Sequence, residues 1–561
     1  MQCAARASLP GGVLAACAAP DAARAPSLNT EIGATFSSTH TGDSGGFRFF
    51  QDIGGTSGRT SYFAAAGVDT TGSAFDADGH RIPEIFPVGL AQTTAVDIGG
   101  RASRRIAPAQ QLGASIHWYS ARKDHGFGSA DGVAHRQVAR AIALPVGIGF
   151  AEDVGFPAGR PNKRQGTYTI SYDHAAVAGS DVSVQLLHLH YNRLNDYFSF
   201  GGGQLNPHLR KTGARVDVRT PLARAGGASL TWGTDYVFYR HEEPTNTDLT
   251  WTPPLDQQSL AGFVQASVPL GRVTLRGGLR YEDFTVGIDD FQQNPGFGGR
   301  RVRGGTLDYD ATTFNVGGVV SATQSVQLFA GFSQGFSITQ VGRLLVNTRL
   351  PSVADARPEP STVDNYEVGV RAGADRMQMT AAGYYATSEL GTSLVSRGVG
   401  PPEVIRAPEH TVGMEATVDV QPATPWRAGG TVSWQEGEQD PDFNGSFTPM
   451  SGLRIAPVKI SGYVEHHPVP RWRNRLQITY SGSRDEFGAS TAFGEGRVES
   501  LTLIDFVTAI RFPRGTLNVG IENVANATYV PPINQAFNDG FNYIAGRGRT
   551  IRVNVALPWT R

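Results

Sequence analysis

Cysteine is confined to Cys3 and Cys17, and the 544 residues that follow hold none. That excludes a disulfide framework or a cysteine-based zinc site from the body of the chain. Lysine is nearly as scarce: Lys123, Lys163, Lys211 and Lys459 are the only lysines among 49 cations. Those cations meet 50 carboxylates, for a formal net charge of −1. A balance this close gives no electrostatic footprint for a nucleic-acid partner. Long apolar runs are missing too. No stretch reaches the ~18 residues that a transmembrane helix needs. A membrane barrel stays open, because its strands alternate apolar and polar residues and dilute the hydropathy.

What is present in place of these is alternation. In "VTLRGGLRYE" (273–282), Val273, Leu275, Gly277, Leu279 and Tyr281 share one face, while Thr274, Arg276, Gly278, Arg280 and Glu282 share the other. In 365–371, Tyr366, Val368 and Val370 oppose Asn365, Glu367 and Arg371. Met414 and Val418 oppose Glu415 and Asp419 in 412–420, and Leu517, Val519 and Ile521 oppose Asn518 and Glu522. Period two over such lengths is the signature of a two-faced strand. A charged face on strand after strand does not suit the apolar interior of a soluble sandwich, but suits the lumen of a wide barrel.

The breaks between strands alternate in length. "GTSG" (55–58), "LGR" (270–272), "GAD" (373–375) and "FPRG" (512–515) are short, whereas 79–93, 125–162, 243–256, 288–306, 338–360, 440–454 and 530–546 are long and rich in Gly, Pro, Asn and Asp. Short turns on one side and long loops on the other mark an outer-membrane barrel. The count is 22 antiparallel strands, eleven outer loops and ten inner turns. The chain closes on "GRTIRVNVALPW", a strand with a late aromatic, Trp559. A closed barrel has no free edge, so this strand is expected to pair with the first. Residues 28–561 are read as the barrel and 1–27 as an unstructured or misassigned N-terminus. Leu14-Ala15-Ala16-Cys17 matches a lipoprotein cleavage box, on an apolar stretch broken by Pro10.

Signs of catalysis are few. "GFSQG" (331–335) matches the nucleophile elbow with Ser333, but the motif needs a strand, a sharp turn and then a helix, and no amphipathic helix follows. His188 and His190 share one strand face without a third metal ligand and are read as lumen or turn histidines; His466-His467 is placed in an inner turn. No catalytic and no metal-binding residue is assigned, and no enzyme is expected. The outer loops hold Arg and aromatic residues, among them Tyr197, Phe198, Trp251, Phe291, Arg343, Arg397, Phe443 and Tyr543. Such groups bind anionic or aromatic ligands by charge-assisted hydrogen bonds and stacking.

Five segments in order carry a family resemblance: "FAGFSQGFSITQVGRLL" (329–345), "NYEVGVRAG" (365–373), "APEHTVGMEATVDVQP" (407–422), "GIENVANATYVPPINQ" (520–535) and "YIAGRGRTIRVNVAL" (543–557). Together they resemble the barrel strands of TonB-dependent outer-membrane receptors, with Val524-Ala525-Asn526 where Leu-Phe-Asp is usual. Within that family, residues 50–84 and 302–315 look most like receptors for ferric siderophores of the hydroxamate type, such as aerobactin.

The resemblance implies a monomer in the bacterial outer membrane that takes up a ferric siderophore with energy delivered by TonB. Iron would arrive inside its chelator, so no protein cofactor is implied. Four ligand contacts are expected by stacking on the chelate or pairing with its carboxylates. Tyr119 and Tyr239 fall on inward faces near outer loops, and Trp251 and Arg343 fall in loops. The resemblance also implies an N-terminal plug and a TonB-contact segment, and the ~27 residues before the first strand match neither. The expectation is a barrel without its plug, with a passive pore as the alternative and an enzyme resting on Ser333 as a second.

Overall fold

The computed structural model describes residues 26–560 apart from 84–90, 124–126, 131–141, 146–160, 196–197, 200–202, 223–225, 246–249, 296–297, 339–340, 347, 357–358, 396–402, 489, 491 and 539–541. The expected N-terminal segment 1–27 lies outside the described residues but for its last two.

Twenty-two long strands run through the chain. They are β1 (Ser27–Ser37), β2 (Gly46–Ser57), β3 (Thr60–Thr71), β4 (Thr93–Ala107), β5 (Gln110–Lys123), β6 (Asn162–Val177), β7 (Ser180–Leu194) and β8 (His208–Leu222). Next come β9 (Ala228–Pro244), β10 (Thr250–Leu270), β11 (Val273–Ile288), β12 (Gly305–Ser321), β13 (Val326–Ser337), β14 (Ser361–Ala374) and β15 (Met377–Val395). The series ends with β16 (Glu403–Ala423), β17 (Trp426–Gln439), β18 (Lys459–Val469), β19 (Trp472–Ser481), β20 (Leu501–Phe512), β21 (Gly515–Glu522) and β22 (Thr550–Thr560). Each pairs antiparallel with the next, and eight of the ten inner turns are two residues long. The eleven outer connections range from 5 residues (245–249) to 38 (124–161).

The ring closes as the terminal alternation requires. β22 pairs with β1 from Ser27↔Thr560 to Ser37↔Thr550, and Trp559 donates its indole N–H to Thr30 Oγ1 at 3.0 Å. Ile32, Ile98, Leu112, Ile170, Leu186, Trp232, Leu260, Leu279, Val316 and Val368 all stand exposed on the outer surface. An apolar outer wall around a charged inner one is the inverse of a soluble protein and matches a barrel in lipid. No helix of the described residues is long and apolar enough to cross a membrane.

Three placements differ from the sequence reading. The stretch 243–256, expected as a loop, is mostly ladder: β9 runs to Pro244 and β10 starts at Thr250, so Trp251 is a strand residue. The ladder absorbs Pro253-Pro254 by register shifts around Glu243, the usual way a strand tolerates proline. His188 and His190 face outward, in register with Tyr168 and Thr212 and on the face of Leu186, rather than into the lumen. His466 and His467 belong to β18, where His466 stacks on Trp426 with ring centroids 4.1 Å apart. Ser333 lies mid-strand opposite Asn315 and Asn365, without the turn and helix of a nucleophile elbow.

Candidate functional site in the lumen and outer mouth

The lumen wall is a series of paired charges. Arg280 on β11 bridges Asp235 on β9 (2.8 and 2.9 Å) and Glu282 (2.9 Å), and Ser259 on β10 donates to Glu282. Arg215 chelates Asp217 at 2.9 Å. On the opposite arc, Arg427 holds Asp419 at 2.7 Å, Tyr463 donates to the same carboxylate, and Arg475 lies 3.8 Å over the Tyr463 ring. Such pairs neutralise one another across neighbouring strands, so the wall stays polar with little net field.

Along the closure, Glu31, Arg48, Phe50, Asp69, Asp97, Tyr119, Arg552 and Asn554 line a cavity of about 470 Å³. Arg48 stands 3.4 Å from Glu31 and 3.6 Å from Asp69, and Asn554 donates to Glu31 at 2.6 Å. Tyr119 sits at its edge, beside Asp97 in the ladder, with the Lys163 ammonium 5.7 Å from its ring.

At the outer end the inner wall changes character. On β11 the inward positions above Glu282 are Phe284, Val286 and Ile288, all buried. They are covered because two outer connections fold inward. The 289–304 connection packs Phe291 and Val302 onto them. The 338–360 connection adds helix α1 (Val341–Val346) through Val341 and Leu345, and helix α2 (Val353–Ala356) through Val353. Leu255 on β10 and Leu307 on β12 complete the cluster, with Tyr239, Tyr309 and Phe336 packed on its edge. Gly342 permits the docking: a Cβ there would lie 2.2 Å from Thr252 Cγ2 of β10.

Polar stitches hold the two connections together. Gln293 donates to the carbonyls of Leu345 (3.3 Å), Val346 (3.3 Å) and Thr348 (2.8 Å), satisfying the C-terminal end of α1. Arg303 and Ser352 form a parallel bridge, with Val353 N–H donating to Arg303 O at 3.0 Å. Gln293→Leu is expected to cost about 1–3 kcal/mol, because those carbonyls lose a buried donor. Faster amide exchange confined to 338–350 would be the reading that supports this.

Asp290 closes the base of the first connection. The Gly304 N–H donates to it at 2.8 Å, and Arg301 stands 3.5 Å away; together they hold its carboxyl below the ordinary value of 3.8. A depressed carboxyl contributes stability above the ordinary value and loses it as pH falls through the folded one. The Gly304 amide is therefore expected to stay protected from exchange near pH 6 and to open below about pH 3.8. Unchanged protection down to about pH 2 would dismiss the clasp.

A second pack covers the far side of the mouth. Met450 and Ile455 (440–458), Val498 (482–500) and Ala536 of helix α3 (Pro532–Ala536) are buried. Arg484 ties them to the wall, donating to Glu436 at 2.5 Å and to the Met450 carbonyl at 3.1 Å, and Arg454 chelates Glu409 at 2.5 and 2.9 Å. Gln535 exchanges hydrogen bonds with the Glu499 backbone and donates to Val530 O at 2.8 Å. The 523–549 connection also clasps 72–92: Asn526 donates to Ala77 O and Gly548 N–H to Phe75 O, each at 2.9 Å. In the latter loop, ligand atoms of Asp76, Asp78 and His80 lie within 4.8 Å of one another. Asp76 Oδ1 already accepts the N–H groups of Asp78 (3.0 Å) and His80 (2.9 Å), which makes it the clasp of its own turn.

Of the four sequence-predicted contacts, Tyr239 and Arg343 share one wall. Tyr239 faces inward at the outer end of β9 against the apolar cluster. Trp251, on β10, is buried. Arg343 projects from α1 and acts electrostatically on Glu243, which accepts from Thr252 at 2.6 Å and lies 3.5 Å from His241. Tyr119 lies on another wall, at the closure cavity. The sequence reading missed the inward-folded connections and their partners Phe284, Val286 and Ile288.

The comparisons with known proteins agree with this architecture. A family described as TonB dependent receptor-like, beta-barrel, matches residues 99–524. The chain belongs to the TonB-dependent receptor family. Its members are outer-membrane barrels and transporters rather than enzymes, so Ser333 is a strand residue and nothing more. The chain is 25% identical to the ferric aerobactin receptor of Klebsiella pneumoniae, across 87% of this chain and 72% of that receptor. It is 23% identical to the rhizobactin receptor of Rhizobium meliloti, across 86% of this chain and 71% of that one. Among solved structures, the copper transporter OprC superposes with a TM-score of 0.77 over 96% of this chain and 82% of its own, at 13% identity, a likeness of fold alone. This TonB-dependent receptor barrel is thus related to siderophore receptors.

Proposed function

We propose that this receptor barrel binds a ferric siderophore of the hydroxamate type at its outer mouth and passes it inward with energy from TonB. The observation that carries the reading is the meeting of Tyr239, Arg343 and the apolar edge of the α1 cluster on one inner wall, with Tyr119 and Lys163 on another. A ferric chelate is bulky, partly apolar and anionic where its carboxylates are free. Aromatic rings stack on its body, and guanidinium groups take its carboxylates in charge-assisted hydrogen bonds. Trp251, the fourth expected contact, is buried on β10 and is left unchanged in the variant below. The similarity to receptors named for ferric aerobactin and rhizobactin favours the same ligand class. Iron is cargo held by its chelator.

The test is binding of ferric aerobactin to the purified 561-residue chain, read by intrinsic fluorescence. Combined Tyr119→Ala, Tyr239→Ala and Arg343→Ala is expected to weaken binding at least about tenfold, in line with ~1.5–3 kcal/mol for a hydrogen bond to a charged group. Unweakened binding would overturn the assignment. Uptake of radioactive iron by cells carrying the chain, with and without working TonB, separates energised transport from passive flow. TonB-independent uptake would favour the pore.

A further inference from the structure

The four lysines share one kind of position. The 49 cations less those four leave 45 arginines. Every lysine stands on an inward face at the outer end of its strand. Lys123 is the last residue of β5, Lys163 the second of β6, Lys211 the fourth of β8 and Lys459 the first of β18. Lys123 shares the face of Tyr119, and Lys163 that of Gln165, the ladder partner of Tyr119. Lys211 is paired directly with Tyr239, and Lys459 alternates with lipid-facing Ile460. A cation needed only for its charge would be arginine here, as it is elsewhere in the lumen at Arg215, Arg280 and Arg427.

Two of the four flank tyrosines already assigned to the ligand. The Lys163 ammonium lies 5.7 Å from the ring centroids of both Tyr119 and Tyr191. Two π faces hold a compact ammonium in one position. In the ladder Lys163 stands opposite Arg193. Like charges directly opposite destabilise a sheet, and an anion in the lumen relieves that cost. Lys211 projects beside Tyr239, two strands across from Lys163 and four residues deeper. With both offsets counted, the two Cα atoms are ~17 Å apart. Asp235, the carboxylate that feels Lys211, is already held by Arg280 at 2.8 Å. Neither Lys163 nor Lys211 forms an ion pair among the described residues. Lys123 is buried, whereas Lys163 is exposed and Lys211 half-buried.

We infer that Lys163 and Lys211 donate hydrogen bonds to the iron-bound oxygens of the chelate, so that the receptor reads the ferric core as well as its free carboxylates. This rests on the ferric siderophore reading above. An oxygen bound to iron in a hydroxamate chelate keeps a lone pair and part of its negative charge. The oxygens around the iron stand at the corners of an octahedron, and each face offers three of them. An ammonium carries three N–H donors in a tripod and turns them on a flexible four-carbon stem, which suits such a face. A guanidinium holds its donors in one plane and suits a flat carboxylate. The two cation types therefore divide the ligand: Arg343 takes a carboxylate arm, and the lysines take the core from two sides.

The test is binding of ferric aerobactin to the 561-residue chain, followed by fluorescence and by the visible charge-transfer band of the chelate. Donors on iron-bound oxygens shift that band, and donors on a remote carboxylate do not. The unaltered chain is expected to shift the band on binding. Combined Lys163→Arg and Lys211→Arg, which keeps the charge, is expected to weaken binding at least about tenfold and to abolish the shift. Arg343→Ala is expected to weaken binding and keep the shift, and Lys459→Arg on the opposite wall to change neither. Binding by the unaltered chain without a shift overturns the inference, whatever the variants do. So does a double variant, migrating as folded on a gel, that keeps either the affinity or the shift. If the unaltered chain bound no ferric hydroxamate at all, the functional reading itself would fail and this inference with it.

Discussion

Deleting Thr550–Thr560 is expected to abolish the folded barrel rather than weaken it. β22 makes eleven residue pairings with β1 and seven with β21, so its loss exposes two strand edges at once. In water such edges would be solvated. In the hydrocarbon region each unsatisfied N–H or C=O costs several kcal/mol, and no open sheet survives there. The clasps above would fail with it, since Ser38 N–H donates to Arg549 O and Gly548 N–H to Phe75 O across the same seam. The check is migration of unheated and heated protein on a gel. The full chain should shift on heating, and the deleted chain should run as unfolded under both conditions. A graded control separates closure from side-chain effects. Val555 faces lipid opposite Ile32, so Val555→Arg is expected to cost about 2–4 kcal/mol while leaving a barrel that still shifts. A deleted chain that kept the shift would refute the closed ladder.

The barrel was legible because lipid outside and charge inside force strict alternation on every strand. Gly277, Leu279 and Tyr281 against Arg280 and Glu282 already state which face is which, and the short turns state which end is which. The mouth was harder to read because a covered inner wall obeys a different rule. The sign was nonetheless present in "YEDFTVGI" (281–288). Up to Tyr281 the odd positions are apolar, and from Phe284 the even ones are, with Asp283 at the change. A reversal of phase without a bulge means that the inward face has become a protein core, and only an inward-folded connection can cover it. Val341 and Leu345 in 338–360 answer it at helical spacing, i and i+4. Trp251 was misplaced because Pro253-Pro254 punctuates like a loop, although a register shift can carry two prolines in a ladder. His188 and His190 were misplaced because polar residues on a lipid wall are unexpected until their distance from Leu186 along the strand is counted.

Leu345→Asp is expected to unlatch the 338–360 connection while the barrel stays folded. Leu345 is fully buried between α1 and the outer end of β10 and β11. Truncating a buried leucine to alanine typically costs 2–5 kcal/mol, and a carboxylate there would also meet no partner while crowding Val286, Val302 and Val341. The cost falls on the connection and not on the strands, because a local opening releases α1 without breaking any ladder pair. Limited proteolysis should then cut between 338 and 360 at least about tenfold faster, while the heat-dependent gel shift remains, as about 1.4 kcal/mol per decade requires. Ferric aerobactin binding should weaken in parallel, because Arg343 leaves the wall that carries Tyr239 when α1 swings out. Leu345→Met, which keeps the volume, should restore both readings. If the cut became faster and binding did not change, Arg343 would not be a ligand contact. If neither changed, the packing of α1 against the wall would itself be refuted.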